Sequence, residues 1–237
     1  MQQFFTDVPL QAGEDYIFTK EQAHHARDVV RLHDETVRLV YQGQAYFART
    51  EEREGTYIAH VTAADPHVNE LPGKVILAMA LIRKEKMELV YQKASELGVH
   101  EIIPVETERC VVKDDRRPGR LIRRQTIVRE AAQQCKRNRI PLVHETIRLT
   151  ELETVQADVK AAAYEKAKES GKMLSELKLQ GTILIVIGPE GGFSENEAQW
   201  LAEHGFEAVS LGARILRAET AALYACSVIS EILEKNR

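Results

Sequence analysis

Two short loops carry the residue types that could do chemistry. Gly188-Pro189-Glu190-Gly191-Gly192 sets one carboxylate among three residues that lack a side chain. Gly212-Ala213-Arg214-Ile215-Leu216-Arg217 ends on a guanidinium, with Glu219 two residues later. Glycines let a backbone approach a ligand closely and offer it N–H and C=O groups. A carboxylate can take a proton, and a guanidinium can hold the negative charge left behind. Neither loop is a nucleotide-phosphate loop: no Gly-Lys-Ser/Thr follows, and the spacing is not GxGxxG. Ser194 stands three residues before Glu197, the spacing of a helix capping box, and lacks the GxSxG context of a nucleophile. A third cluster lies between Lys113 and Arg139. There Lys113, Arg116, Arg117, Arg120, Arg123, Arg124, Arg129, Lys136, Arg137 and Arg139 face three carboxylates, a local charge of +7 in a chain whose net charge is −4. Such a block is a candidate phosphate-binding surface. The plain alternatives are a ligand-free strand-to-helix turn for the first loop and a solvated helix face for the block.

These groups need elements to position them. Ile183–Ile187 is apolar throughout and reads as a strand buried on both faces. A glycine loop then leads into the helix capped by Ser194, the arrangement that puts ligands at the carboxyl end of an open α/β sheet. Ala208–Leu211 is a strand before the second loop, and a helix runs from about Ala218 to Glu234. Upstream, Val75–Leu81, the helix Lys84–Leu97 with Gly98 as its stop, and Glu101–Val105 make a βαβ unit. Leu121–Lys136 is helical, Lys160–Tyr164 a short strand, and Lys166–Gln180 a loop or weak helix. The first 72 residues differ. Thr36–Tyr41, Ala45–Thr50 and Thr56–Thr62 read as strands of a compact barrel, with a helix from Thr19 or Lys20 to about Leu32 that places Arg27 and Arg31 on one face near His24 and His25. The expected division is therefore 1–72 and 73–237, at Asn69-Glu70-Leu71-Pro72-Gly73.

Composition is that of a soluble globular chain: 237 residues, 44% hydrophobic and 29% charged. Cys110, Cys135 and Cys226 show no paired spacing, which points to reduced thiols in the cytoplasm, and no histidine set has metal-ligand spacing, so no metal is expected. No stretch reads as a signal peptide or membrane span.

The pair IGPEGGFSENE and LGARILRAETAALYA resembles the ribosomal RNA small subunit methyltransferase E family, uridine-N3 methyltransferases of the knotted SPOUT class. KEKMELVYQKASELGVHEIIPVETER, REAAQQCKRNRIP and HHARDVVRLHDETVRLV extend the resemblance over nearly the whole chain. The chain departs from the family at Asp34-Glu35, where Gly-Asp is frequent, at Lys136, often glycine, at Ala213, often proline, and at Ala218, often threonine. The resemblance implies an α/β SPOUT domain with a deep trefoil knot and a largely parallel sheet, behind an N-terminal PUA-like β-barrel. It also implies a homodimer, S-adenosylmethionine as cofactor, and small-subunit ribosomal RNA or the assembled subunit as partner.

On that reading the cofactor lies among Tyr164, Ile187, Gly188, Pro189, Glu190, Gly191, Gly192, Leu211, Gly212, Ile215, Leu216 and Thr220. Arg217 would stabilise a uracil anion, and Glu190 or Glu219 would take the N3 proton, although Glu190 could instead serve the helix N-terminus and Glu219 could merely hold Arg217. RNA contacts would come from His25, Arg27, Arg31, Arg137, Asn138 and Arg139. Two other readings compete: a non-catalytic RNA-binding module, which leaves the two loops unexplained, and an α/β enzyme for a small nucleotide-like molecule, which leaves the basic block unexplained.

Overall fold

The computed structural model describes residues 1–114, 117–165 and 172–237. Arg116 of the basic block and the first part of the expected loop at 166–180 lie outside the described residues. The chain divides into two compact units, Met1–Glu70 with Ala132–Arg139, and Leu71–Ala131 with Ile140–Arg237.

The first unit holds β1 (Gln3–Phe5), β2 (Asp15–Ile17), α1 (Lys20–His24), β3 (Thr36–Tyr41), β4 (Gln44–Arg53) and β5 (Thr56–Asp65). The strands form one sheet in the order β1-β3-β4-β5-β2, with β1 parallel to β3 and the other pairs antiparallel. β1 and β2 are three residues each, too short to show period-two alternation, and were not expected. Phe18 anchors the core, edge-on to Phe4 at 5.0 Å and to Tyr57 at 5.2 Å between ring centroids. Thr19 caps α1 in a capping box with Gln22. The helix does not continue regularly to Leu32. His25–Val29 is a π-helical turn, Val30 N–H donates to His25 O at 3.0 Å, and Arg31 leaves the helix at φ 54°. The i+5 bonding breaks the i,i+4 register, so Arg27 and Arg31 do not share a helix face.

Arg38 of β3 is buried. It donates to Asp65 at 2.7 Å, to Gln3 Oε1 at 2.7 Å and to Asn138 Oδ1 at 3.1 Å. Asn138 arrives on the returning segment 132–139, which Glu70 also fastens. Its carboxylate accepts from Arg137 Nη2 at 2.6 Å and from the backbone N–H groups of Asn138 and Arg139, both at 2.9 Å.

The second unit is a parallel sheet flanked by helices. Its elements are β6 (Lys74–Ala80), α2 (Lys84–Glu96), β7 (Glu101–Glu106), α3 (Pro118–Gln134), β8 (Leu142–Val143), β9 (Ile147–Arg148), β10 (Val159–Ala163), β11 (Thr182–Ile187), α4 (Glu195–Glu203), β12 (Glu207–Val209) and α5 (Ala218–Lys235). The strand order is β12-β10-β11-β6-β7-β8, with β9 also on β7, and every pairing is parallel. Central β11 is buried on both faces, as an unbroken apolar run requires. Ile183, Ile185 and Ile187 enter the core shared with α2 and α5, while Leu184 and Val186 enter the core with Phe193, Leu201 and Phe206. Ala222 and Ala225, both fully buried, bring α5 close against that first face. Among the described residues no helix is long and apolar enough to cross a membrane.

Candidate active site

The register of the sheet places the site. Ala163 of β10 pairs with Ile187 of β11 on one side and with Val209 of β12 on the other, so three adjacent strands end level at their carboxyl ends. The loops leaving those ends enclose a cavity of about 280 Å³. Ten of the twelve expected cofactor residues line it: Tyr164, Ile187, Gly188, Pro189, Glu190, Gly192, Leu211, Gly212, Ile215 and Leu216. Arg217 lines it too, exposed at the N-cap of α5 and with no side-chain capping bond.

Two expected members stand elsewhere. Gly191 faces away from the cavity: a Cβ there would sit 3.2 Å from Arg109 Cβ, and its carbonyl accepts from Arg109 Nη1 at 3.0 Å. Thr220 is exposed on α5 between Ala218 and Ala221, which line the cavity, and is not itself among the lining residues. Gly192 instead lines the cavity, at φ 65° and with the place of its missing Cβ 3.9 Å from the cavity residue Glu165.

Local structure holds the first loop. Ser194 accepts from Glu197 N–H at 3.2 Å and its own N–H donates to Glu197 at 2.9 Å, a capping box as expected. The buried Glu197 also accepts from Glu108 N–H at 2.7 Å, which ties the loop after β7 to the start of α4. Phe193, 3% exposed, lies against Gly188 and forms the floor with Tyr164, ring centroids 6.5 Å apart. Phe193, Glu165 and Ser210 were not expected at the site. No spacing marks them, because they meet only where the three strand ends come together.

The carboxylates have an unexpected partner. Lys86, in the first turn of α2, stands 3.2 Å from Glu219 and 3.6 Å from Glu190. Glu190 lines the cavity; Glu219 does not. Glu219 is therefore held by Lys86, and its partner among the described residues is not Arg217, contrary to one of the expectations for it.

The residue set fits a sulfonium nucleoside. The cavity offers a slot flanked by Leu211, Ile215 and Leu216, close backbone at Gly188, Gly192 and Gly212, and an anionic side chain in Glu190. Ile215 is 80% exposed at the cavity rim, an apolar side chain that a flat ring would cover.

The sequence model of a family described as RNA methyltransferase domain matches residues 69–230. A "Ribosomal RNA small subunit methyltransferase E" from Bacillus subtilis is 33% identical over 97% of this chain and 96% of its own length. The chain belongs to the ribosomal RNA small subunit methyltransferase E family. A further member, from Mesomycoplasma hyopneumoniae, is 34% identical over 88% of this chain and 91% of its own. The crystal structure of a family member from Neisseria gonorrhoeae bound to S-adenosyl methionine superposes with a TM-score of 0.88 at 32% identity, covering 98% of both chains.

The six residues expected to meet RNA divide by exposure. Arg137 and Asn138 are 2% and 3% exposed, and their side chains are spent on Glu70, Arg38 and the carbonyls of Gly43 and His67. They are internal fasteners of the first unit, because a buried guanidinium must be matched by a carboxylate. Arg27 donates to Glu52 at 2.7 Å, and His25 stands edge-on to Phe4. Arg31 and Arg139 are exposed. Much of the basic block is likewise paired: Arg124 and Arg120 with Asp114, Arg123 with Glu88.

Proposed function

We propose that this chain methylates N3 of a uridine in small-subunit (16S) ribosomal RNA with S-adenosylmethionine as methyl donor. The observation that carries the reading is one cavity at the level ends of β12, β10 and β11, lined by a carboxylate, Glu190, and a guanidinium, Arg217. When bound, the donor supplies a methyl on a sulfonium, which departs as a thioether that keeps the bonding pair. The protein must do the rest. Neutral N3 is a poor nucleophile; a carboxylate removes its proton while Arg217 stabilises the charge spreading to the uracil oxygens. The cavity walls align methyl and N3, and the target base must be unstacked to reach them.

The reading assigns methyl transfer to 73–237 and RNA docking, as a PUA-like barrel, to 1–72, with the segment 132–139 grouped with the docking unit. A trefoil knot is supported by the path after β12. Ser210 N–H donates to Lys172 O, Leu174 N–H donates to Ser210 O, and Leu174 and Leu177 then share a core with α5. A cytoplasmic homodimer through the second unit completes it, with Tyr224 of α5 left 40% exposed for that contact. Arg31 and Arg139 are the first choices for RNA contact.

The test is incubation with labelled S-adenosylmethionine and either naked 16S ribosomal RNA or small subunits, followed by nucleoside analysis. N3-methyluridine in one of the two substrates is expected. Methylation at another atom would overturn the N3 assignment, and cofactor binding without any RNA product would overturn the substrate.

A further inference from the structure

Lys86, Glu190 and Glu219 come from three separate segments, the first turn of α2, the glycine loop and the first turn of α5, and meet beside the cavity. A cation in the first turn of a helix is opposed by the helix dipole, whereas a carboxylate there is favoured. Lys86 is thus placed against its local preference, and the two carboxylates compensate. Their surroundings are unequal. The Glu219 side chain is 12% exposed, and its Oε2 is buried with no hydrogen-bond partner among the described residues. The Glu190 side chain is 37% exposed and lines the cavity.

Resting on the methyl-transfer reading, we propose that Glu190 is the proton acceptor, that Lys86 is the positioning residue that orients it, and that Glu219 is the buried anchor of Lys86. A carboxylate oxygen shut away from the cavity cannot collect a proton from a substrate in it, so Glu219 is the wrong acceptor. It is a strong anchor for the same reason: Lys86 meets its charge, and moving the ammonium away would strand a desolvated anion. Lys86 so held contacts one side of Glu190 and directs the rest of that carboxylate to the cavity. In the reaction the N3–H bond breaks, the proton passes to a Glu190 oxygen, and the electron pair stays on N3 to form the bond to carbon.

The test compares Lys86→Met, Lys86→Arg, Glu190→Gln and the double variants in the full-length protein. The readouts are single-turnover methylation of RNA, cofactor affinity by calorimetry, and melting temperature without ligand. Lys86→Met should slow the reaction about 10- to 100-fold, the scale of a slightly misplaced group, with cofactor affinity within about threefold of wild type. Lys86→Arg should recover most of the rate. In the Glu190→Gln background Lys86→Met should have no further effect, since there is no base left to orient. Lys86→Met alone should lower the melting temperature by stranding Glu219, and Lys86→Met with Glu219→Gln should restore it while the reaction stays slow. Additive losses with Glu190→Gln, or full activity in the double variant that restores stability, would overturn the assignment. The wild-type arm judges the underlying reading separately: product other than N3-methyluridine there refutes the reaction, whatever the variants do.

Discussion

On the proposed reading, Arg217 is the residue on which the chemistry turns most sharply. It stands at the N-cap of α5 with its side chain exposed at the cavity, while neighbouring Leu216 and Ala218 line the wall. Removing one preorganised donor of this kind costs about 10²–10³ in rate. Arg217→Ala should therefore cut single-turnover methylation by that factor with both affinities near wild type, and raising the pH should recover part of it as uridine itself deprotonates. A joint fall in melting temperature and cofactor affinity, without recovery at high pH, would make Arg217 structural. Two adjacent glycines offer a second contrast. Gly192→Val forces a β-branched residue to φ 65° beside the cavity and should weaken cofactor binding at least about tenfold. Gly191→Val presses on Arg109 and should weaken it less. Calorimetry that ranks the pair in reverse would favour Gly191 over Gly192 as the cofactor-facing glycine.

At the scale of elements, the proposed reading gives the segment 132–139 two jobs, one for each of its arginines Arg137 and Arg139. Arg137 is buried on Glu70, so Arg137→Ala should destabilise the first unit by about 3 kcal/mol, the cost of leaving a buried charge unpaired. Arg139 is exposed, and Arg139→Ala should leave stability unchanged while lowering the slope of log RNA affinity against log salt by about 0.7–0.9, one phosphate contact. Titration at several salt concentrations, with melting of each variant, separates them; an unchanged slope for Arg139→Ala would remove this turn from the RNA surface. The segment also explains a departure from the family. Lys136, where glycine is frequent, sits at φ 64°, and Asp34, at the other such position, sits at φ 52°. The backbone keeps the left-handed turn that glycine would adopt freely, and these residues accept its strain.

At the scale of the whole molecule, resistance to acid rests in part on one buried pair. Burial by itself would raise the Asp65 carboxyl, but hydrogen bonds from Arg38 and from the backbone and ring of His67, with the Arg38 charge, outweigh it and hold the group at about 2 against an ordinary 3.8. A carboxyl depressed in the folded state contributes stability that is complete above the unfolded value and is lost as pH falls through the folded one. About 2 kcal/mol should therefore disappear between pH 4 and pH 2. Asp65→Asn should be less stable than wild type at pH 7 by about 3 kcal/mol and should lack this part of the acid sensitivity, as denaturant titrations at each pH would read. Equal acid sensitivity in both proteins would place the dependence on other carboxylates. Asp65 gives no sign of this in the sequence, where it is one of twelve acids in an acidic stretch. The same division runs through the site. Runs such as Ile183–Ile187, stops such as Gly98, and the capping box at Ser194 were legible because they act within a few residues of chain. From them came the second unit's elements apart from the two-residue strands β8 and β9, and the two loops. Which glycine faces the cavity, which arginines stay free, and that Lys86 joins Glu190 to Glu219 were decided only by tertiary structure. These depend on burial and on pairing between segments that the fold brings together, and no local spacing encodes them.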